Sequence, residues 1–329
     1  MIITVTPNPS LDRTFEATTI ELGEVNRAHA THIHAGGKGI NVTRALVAGG
    51  FDSVAVFPAG GSDGDRLVSD LRLRSVPVRP VRVEADTRSN VTLVDAGGVT
   101  TKINAPGAAL TPQAVDALLA ELAEEITRAT RAGTVPLVVG AGSLPDGAGP
   151  DFYVRVTALA AELGARTVLD TSGEPLRAAV VAGGLALVKP NDEELAELVG
   201  RELVTVADVV DAAHEVMASG IDAVLVSLGA HGALLIGPGE PAWAGGAPLV
   251  PLSTVGAGDI TLAGFLSGLA PSTPTSPTSS TFTDALVRAV AWGRAAVLLP
   301  GSAVPTPADI HPADVTLAHP PRHIALKEL

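Results

Sequence analysis

The sequence predicts an α/β protein in which helices cover both faces of a parallel sheet, and two observations lead to this fold class. Short runs rich in β-branched residues alternate with helical patterns along most of the 329 residues. Those runs are almost continuously apolar, which is typical of strands buried on both faces of a sheet. Because a single core seldom grows beyond ~250–300 residues, we expect one large domain with a smaller appendage, or two domains.

The predicted elements follow one another in a regular order. Strands are predicted over residues 2–6, 54–57, 136–140, 166–170, 185–189 and 223–228. The clearest helix is predicted over 111–131, with Thr111 as its N-cap and Pro112 at the first helical position. Residues 271–281 are of low complexity, and we expect a surface loop there between two helices.

Two segments depart from this rhythm. Residues 12–34 and 78–104 alternate apolar and polar positions, and the AGG turn in the second segment predicts a hairpin. We expect both segments to form a small projecting sheet, which leaves residues 1–11, 35–77 and 105–329 to the main domain. One face of this sheet is not covered by the chain's own helices, so it is free to cover a site or a second subunit.

Composition excludes several classes of function. The formal net charge of −13 makes non-specific nucleic-acid binding unexpected. The absence of cysteine excludes disulfides, thiolate catalysis and cysteine-ligated metal centres. The first residues lack the pattern of a signal peptide, and no apolar run approaches the ~20 residues of a membrane helix. We therefore expect a cytoplasmic protein with neither nucleic acid nor membrane as a partner.

The strongest functional motif is STVGAGDITLAGFLSGL at 253–269. Gly256, Ala257 and Gly258 open an apolar helix, so their backbone amides lie where an anion is bound favourably. Asp259 follows in the first turn, beside that anion. A carboxylate there can be a helix cap, a metal ligand or a general base. Capping alone explains poorly why two negative charges are brought together.

A second glycine-rich loop, HAGGKGINVTRAL, opens another helix at 34–46. Lysine and arginine total 22 but lysine accounts for only four of them, so Lys38 is a position where a compact charge is needed. Lys38 and Asn41 can reach hydroxyl or phosphate oxygens, although such loops are also ordinary helix entries. The loop is not a P-loop, because Gly39 and not Ser or Thr follows the lysine.

A third motif, LVKPNDEELAELVG, lies at 187–200. Asn191 caps a predicted helix and Glu194 is its third residue, which is the pattern of an ordinary capping pair. The same two side chains could instead order a hydrated magnesium ion and nucleotide phosphates. The string alone leaves both readings open.

A further motif, TPNPSLD, lies at residues 6–12. Its two prolines stiffen the approach to Asp12, which suits a residue that holds sugar hydroxyls.

The motifs together resemble the PfkB/ribokinase superfamily of sugar kinases, and most closely its 1-phosphofructokinase and tagatose-6-phosphate kinase branch. The strings that carry the resemblance are TPNPSLD, GGKGIN, TRSN, KINAPG, GSLP, KPNDEE, VSLGAHG and STVGAGD. They span about residues 1–310, and GGKGIN with VGAGD is a specific combination. The resemblance implies a ribokinase-like three-layer α/β/α sandwich with a small β-sheet lid, and a homodimer formed through the lid.

The resemblance also implies roles for individual residues. Asp259 would be the catalytic base, and the backbone of Gly256, Ala257 and Gly258 its anion hole. The residues implied to bind ATP are Lys189, Asn191, Glu194, Ser227, Gly229, Gly232, Thr254, Gly256 and Gly258. The residues implied to line the sugar-phosphate site are Asp12, Gly37, Lys38, Asn41, Arg88, Asn104 and Ser143. Magnesium would be held, through water, by Asn191 and Glu194.

The implied activity is the ATP- and Mg²⁺-dependent phosphorylation of fructose 1-phosphate at O6, with Lys38 and Arg88 gripping the phosphate already on the sugar. One alternative is a kinase that acts at O1 of tagatose 6-phosphate or fructose 6-phosphate. Another is a catalytically inactive sugar-phosphate sensor, against which the retained Asp259 argues. Ser253 stands where potassium-activated relatives carry an acidic residue, which argues against a requirement for a monovalent cation.

Overall fold

The computed structural model describes residues 1–237, 239–269 and 279–329. The strands are β1 (Ile2–Val5), β2 (Ser10–Ala17), β3 (Ala28–Gly36), β4 (Ser53–Ala59), β5 (Val78–Arg82), β6 (Arg88–Val94), β7 (Thr100–Ile103), β8 (Leu137–Ala141), β9 (Arg166–Asp170), β10 (Leu187–Val188), β11 (Val224–Ser227), β12 (Ala233–Ile236), β13 (Ala242–Gly245) and β14 (Thr316–Ala318). The α-helices are α1 (Lys38–Ala48), α2 (Gly61–Leu73), α3 (Pro112–Arg131), α4 (Phe152–Glu162), α5 (Gly173–Ala182), α6 (Asp192–Val199), α7 (Val206–Met217), α8 (Ala257–Leu269) and α9 (Ser279–Val297). Within these ranges, no helix has the length and apolar character needed to cross a membrane.

The larger of the two sheets has ten strands in the order β14-β13-β12-β11-β10-β9-β8-β1-β4-β5. The strands from β11 to β5 are parallel, whereas β12, β13 and β14 extend one edge with antiparallel pairs. All of the strands predicted from apolar runs lie in the parallel part. The predicted parallel sheet is therefore confirmed, and the antiparallel edge is an addition to it.

Helices pack on both faces of the large sheet, and each face has its own buried apolar layer. One layer joins α3 and α4 to the strands through Leu118 and Phe152. The other joins α8 and α9 through Phe265 and Leu286. The predicted three-layer α/β/α sandwich is therefore confirmed.

Helix α3 begins as its sequence predicts. Thr111 is the N-cap, and its Oγ1 accepts a hydrogen bond of 3.2 Å from the backbone N–H of Ala114. Pro112 occupies the first helical position, where a missing N–H costs nothing. The helix ends at Arg131, and residues such as Leu118 bury its apolar stripe.

Four strands form the smaller sheet, in the order β3-β2-β6-β7. The predicted hairpin is confirmed, since β6 and β7 pair in antiparallel fashion. The predicted extent of the small sheet is partly wrong, because Val78–Arg82 pairs with β4 at the edge of the large sheet. The other bounds shift slightly, because β2 begins at Ser10 and β3 ends at Gly36. The alternation in 78–82 that suggested a projecting sheet is that of an edge strand, which is only partly buried.

The surface loop predicted over 271–281 lies mostly outside the described residues. Helix α8 ends before it at Leu269, and α9 begins at Ser279. The last three residues of the segment 271–281 therefore belong to α9 and not to a loop.

Candidate active site

The carboxyl ends of the parallel strands bring candidate functional residues to one edge of the large sheet, as is usual in open α/β folds. Asp170 is the last residue of β9, Lys189 follows β10, and Ser227 ends β11. Helices α1 and α8 also meet here, because Asn41 of α1 is hydrogen-bonded to Asp259 of α8. The two glycine-rich loops therefore form parts of one site.

A buried carboxylate, Asp170, holds two lysines together. Its Oδ1 accepts a hydrogen bond of 2.6 Å from Nζ of Lys38, and its Oδ2 lies 3.1 Å from Nζ of Lys189 as an ion pair. Burial opposes the charge of Asp170, yet the lysines hold the pKa of this carboxyl below its ordinary value. Burial alone would lower the pKa of Lys38, but Asp170 and Asp259 raise it well above its ordinary value. The cluster thus concentrates positive charge inside an acidic protein, as an anionic substrate requires.

Asp259 lies in the first turn of α8 and is only 7% exposed. Its Oδ2 accepts a hydrogen bond of 2.9 Å from Nδ2 of Asn41. Burial and the charge of Asp170 raise the pKa of Asp259 to about 6, against the opposing effects of Lys38, the Asn41 hydrogen bond and Lys189. A carboxyl with this pKa is mostly ionised at pH 7 and still takes up a proton readily. It is therefore suited to act as a general base.

The GAGD loop leaves open space in front of α8. Gly256 has φ +76°, and a Cβ placed there would lie no closer than 3.6 Å to any other residue beyond its chain neighbours. A Cβ on Gly258 would lie 3.6 Å from Nζ of Lys189. Among the described residues, the backbone N–H groups of Gly258 and Asp259 have no acceptor. Free donors at a helix N-terminus beside a lysine suit the binding of an anion.

A cavity of about 430 Å³ adjoins this loop. The predicted residues that line it are Asn191, Ser227, Gly229, Gly232, Thr254, Ala257 and Gly258. Leu249, Val290 and Val297 add an apolar wall, so the cavity combines apolar and polar surfaces. Position 232 also requires glycine for a structural reason, because a Cβ there would lie 2.0 Å from the carbonyl oxygen of Ala244.

Asn191 and Glu194 form a capping box at the start of α6. Oδ1 of Asn191 accepts from the backbone N–H of Glu194 at 2.7 Å, and Oε2 of Glu194 accepts from the backbone N–H of Asn191 at 2.9 Å. The capping arrangement that the sequence left open is therefore present. Oε1 of Glu194 has no partner in the described part of the chain. The oxygen atoms of Asn191 and Glu194 fit a hydrated magnesium ion that takes its remaining ligands from water and phosphate.

Asp12 lies on the small sheet within a polar network. Its Oδ1 accepts hydrogen bonds from Oγ of Ser10 at 2.7 Å and from Nδ2 of Asn90 at 2.9 Å. Oδ1 of Asn90 accepts in turn from the backbone N–H of Ala105 at 3.2 Å. A Cβ on Gly36 would lie 2.2 Å from Oδ2 of Asp12, so glycine is required beside this carboxylate. The network therefore ties Asp12 of β2 to Asn90 of the neighbouring strand β6.

Arg88 is tied to the main-chain segments around it. Its two terminal nitrogens donate to the carbonyl oxygens of Ala105 at 2.7 Å and Asn8 at 3.0 Å, while its buried Nε has no partner. Nδ2 of Asn8 donates to Oγ of Ser143 at 3.2 Å, so Arg88 and Ser143 are both hydrogen-bonded to Asn8. Asn104 is exposed, and its side chain makes no hydrogen bond in the described ranges.

Sequence reasoning assigned no individual role to four residues that build this site: Asp170, Asn8, Asn90 and Arg44. Asp170 had a signal, because a charged residue directly follows the apolar Val168 and Leu169 at the end of the strand. Asn8 and Asn90 stand inside motifs that were recognised for their neighbours. Arg44 had no usable signal, since its partners include the distant carbonyl of Ser302.

Comparison with known proteins agrees with the motifs. The model of the pfkB family carbohydrate kinases matches residues 6–309. The 1-phosphofructokinase of Xanthomonas campestris is 38% identical over 271 residues, covering 81% of this chain and 83% of that protein. The ATP-dependent 6-phosphofructokinase isozyme 2 of Escherichia coli is 38% identical over 260 residues, covering 78% and 82%. The crystal structure of E. coli phosphofructokinase-2 in complex with potassium has a TM-score of 0.84 at 35% identity and covers 94% and 96%. With this match along nearly its whole length, the chain belongs to the pfkB family of carbohydrate kinases.

Proposed function

We propose that the chain is an ATP-dependent kinase of ketose phosphates, with fructose 1-phosphate, phosphorylated at O6 to fructose 1,6-bisphosphate, as the first candidate substrate. The observation that carries this proposal is Asp259, a buried carboxylate at a helix N-terminus whose pKa is raised to about 6. The two relatives at 38% identity support it, because both are named as phosphofructokinases and one as ATP-dependent.

The proposed reaction uses Asp259 as its general base. The carboxylate accepts the proton of the sugar hydroxyl while that oxygen bonds to the γ-phosphorus, and the bond from this phosphorus to the leaving oxygen of ADP breaks. Backbone N–H groups of the GAGD loop, which includes the anion hole proposed for Gly256, Ala257 and Gly258, stabilise the negative charge on the transferred group, together with Lys189. The hydrogen bond from Asn41 keeps the carboxylate in place for this transfer.

ATP is proposed to occupy the cavity beside α8. The residues proposed to contact it are Lys189, Asn191, Glu194, Ser227, Gly229, Gly232, Thr254, Gly256 and Gly258. Magnesium would be held through water by Asn191 and Glu194, and it would neutralise charge on the phosphates when bound. Because Ser253 replaces the acidic residue of potassium-activated relatives, we propose no potassium requirement.

The sugar phosphate is proposed to lie between α1 and the small sheet. The residues proposed to line its site are Asp12, Gly37, Lys38, Asn41, Arg88, Asn104 and Ser143. Oδ2 of Asp12 has no hydrogen-bond donor among the described residues, so it is available for a sugar hydroxyl. Lys38 and Arg88 are bonded to protein acceptors, so a sugar phosphate has to compete with Asp170 and with main-chain carbonyls for them.

The small sheet is proposed to be a lid that also joins two subunits. Its pairing places Phe15 beside Leu93 and Val91 beside Ile103, on the face opposite Asp12. Ile103 is 60% exposed, and an apolar sheet face left open favours association. Light scattering at micromolar concentration tests the homodimer. Backbone amides in 88–104 should exchange hydrogen more slowly with sugar phosphate than without it, and unchanged exchange would contradict a moving lid.

A substrate panel tests the proposed function. The purified protein is incubated with ATP, Mg²⁺ and fructose 1-phosphate, fructose 6-phosphate or tagatose 6-phosphate, and ADP release is measured. The expected result is that fructose 1-phosphate gives the highest kcat/KM of the three sugar phosphates. A preference for a 6-phosphate would assign phosphorylation at O1. Sugar-phosphate binding without turnover in the whole panel would favour a sensor and overturn the kinase proposal.

A further inference from the structure

Arg44 is a buried cation whose hydrogen bonds all go to neutral oxygens. It lies on α1, is 7% exposed, and donates to the carbonyl oxygens of Ala35 at 3.2 Å and Ser302 at 3.3 Å. Its third bond, of 3.0 Å, goes to Oδ1 of Asn41. Burial lowers the pKa of Arg44. Burying a charged arginine here costs desolvation free energy, and an uncharged side chain would fill the same space at a lower cost.

The bond from Arg44 decides which way the amide of Asn41 points. A guanidinium group has donors and no acceptor, so only the oxygen of the amide can face it. The nitrogen must then face the other way, where Nδ2 donates to Oδ2 of Asp259 at 2.9 Å. A rotated amide would place two donors against each other at Arg44 and two acceptors against each other at Asp259.

We propose that Arg44 is a positioning residue: it fixes the amide of Asn41 so that the nitrogen always donates to the carboxylate of Asp259. This role rests on the proposed function, in which Asp259 is the base. Among the described residues, Arg44 has no hydrogen bond or ion pair with Asp259, and it acts through Asn41. Because the donated hydrogen bond favours the ionised carboxylate, losing it reduces the fraction of ionised base near neutral pH.

Arg44, Asn41 and Asp259 form a hydrogen-bonded relay, and a test of this relay has to account for the charged groups around both of its ends. Those that act on Asp259 are Asp170 at the end of β9, Lys38 of α1 and Lys189 after β10. Those that act on or are affected by Arg44 are Asp70 and Arg74 near the end of α2, Asp12 of β2, His34 of β3 and Asp259. Arg44 therefore also carries a charge that favours ionisation of Asp259 directly, and the experiment has to separate charge from positioning.

The experiment measures the pKa of Asp259 itself, by carbon-13 NMR titration of the aspartate carboxyls, with Asp259→Asn used for assignment. Arg44→Met is expected to raise this pKa by about one pH unit, because a hydrogen bond to a charged group is lost. Asn41→Leu removes the same donor and is expected to give a rise of similar size. Arg44→Gln serves if Arg44→Met does not fold. It removes the charge, and its amide accepts as well as donates, so a rise of the same sign is expected.

The double variant separates the two explanations. If Arg44 acts through Asn41, Arg44→Met adds almost nothing to the shift already caused by Asn41→Leu. Full additivity would overturn the proposal, since Arg44 would then act by its charge alone. Arg79→Met is the matched control, because Arg79 pairs with the buried Glu125 on another face of the protein. It should lower the melting temperature without moving the pKa of Asp259.

The titration does not depend on turnover, so it is distinguishable from a failure of the proposed function. A wild-type protein without kinase activity would refute the kinase and leave the relay measurable. An active wild type whose Asp259 pKa stays the same in Arg44→Met, with only the melting temperature lowered, would refute the relay and leave the kinase. In active variants, the acid limb of kcat/KM should move to higher pH by the same amount as the titrated pKa.

Discussion

Two glycine-rich loops open helices at this site, yet glycine is present for a different reason in each. At the start of α1, a Cβ on Gly37 would lie 2.9 Å from Cγ2 of Thr6, and a Cβ on Gly39 would lie 2.5 Å from Oγ1 of the same residue. At the start of α8, a Cβ on Gly256 or Gly258 would come no closer than 3.6 Å to another residue. The first loop is therefore closed by packing, and the second stands open towards the proposed ligand.

The two helices also differ in the charge that they present. Lys38 of α1 is bonded to Asp170 and has a pKa well above its ordinary value. Asp259 of α8 has no bonded cation, and its pKa is raised to about 6. The cation is thus held in its charged form, while the acid remains able to exchange a proton. This contrast shows how similar motifs can supply a fixed charge in one place and a titrating group in another.

The largest expected effect is that of removing the titrating group. Asp259→Asn should lower kcat by roughly 10²–10⁴-fold, because a general base is lost, with ATP and sugar-phosphate affinities within a few-fold of wild type. Steady-state kinetics and calorimetry check the two parts. Near-normal turnover in this variant would show that Asp259 is not the base.

Removing the fixed charge should have the next largest effect. Lys38→Met should raise the KM for a sugar phosphate by about 10–100-fold, because a charge-assisted bond to phosphate is lost, and should affect fructose much less. Lys327→Met is the control, since Lys327 is exposed near the C-terminus and lies outside the small sheet. Equal losses with both substrates would indicate that Lys38 acts on the transferred phosphoryl group instead.

A matched pair of glycine substitutions tests the difference in packing. Gly39 and Gly258 are each the second residue of their helix. Gly39→Ala should lower the free energy of unfolding by about 1–3 kcal/mol, because the methyl group overlaps Thr6. Gly258→Ala should leave it unchanged or raise it by up to ~1 kcal/mol, while KM for ATP rises because the methyl group enters the open space. Denaturant titration and kinetics measure both, and equal destabilisation by the two would refute the contrast.

The smallest expected effect concerns stability and pH. The pKa of Asp259 in the folded protein is about 6, above the ordinary 3.8, so its contribution to stability is fully present below pH 4 and is lost as pH rises through 6. Asp259→Asn should therefore raise the free energy of unfolding at pH 8 by on the order of 1–3 kcal/mol. Its effect should vanish near pH 4. Denaturation at both pH values measures this, and destabilisation at pH 8 would contradict a penalised carboxylate.

Local patterns predicted much of the fold. Thr111 and Pro112 start α3 as expected, because capping depends on residues only a few positions apart. The parallel sheet followed from apolar runs, since each run records its own burial. Val78–Arg82 was misassigned for the same reason in reverse: an alternating strand records that it is partly exposed, and does not record which sheet it joins.

The sequence by itself determined the α/β architecture, the family and the glycine-rich loop with its acid, because short strings carry all of these. Only the tertiary structure decided how the acid and the lysines are charged. Asp170 lies 132 residues from Lys38, and Asn41 lies 218 residues from Asp259. The pKa values depend on burial and on distances of about 3 Å between such residues, which no local pattern contains. The site's motifs are therefore readable in the chain, whereas its electrostatics exist only in the folded protein.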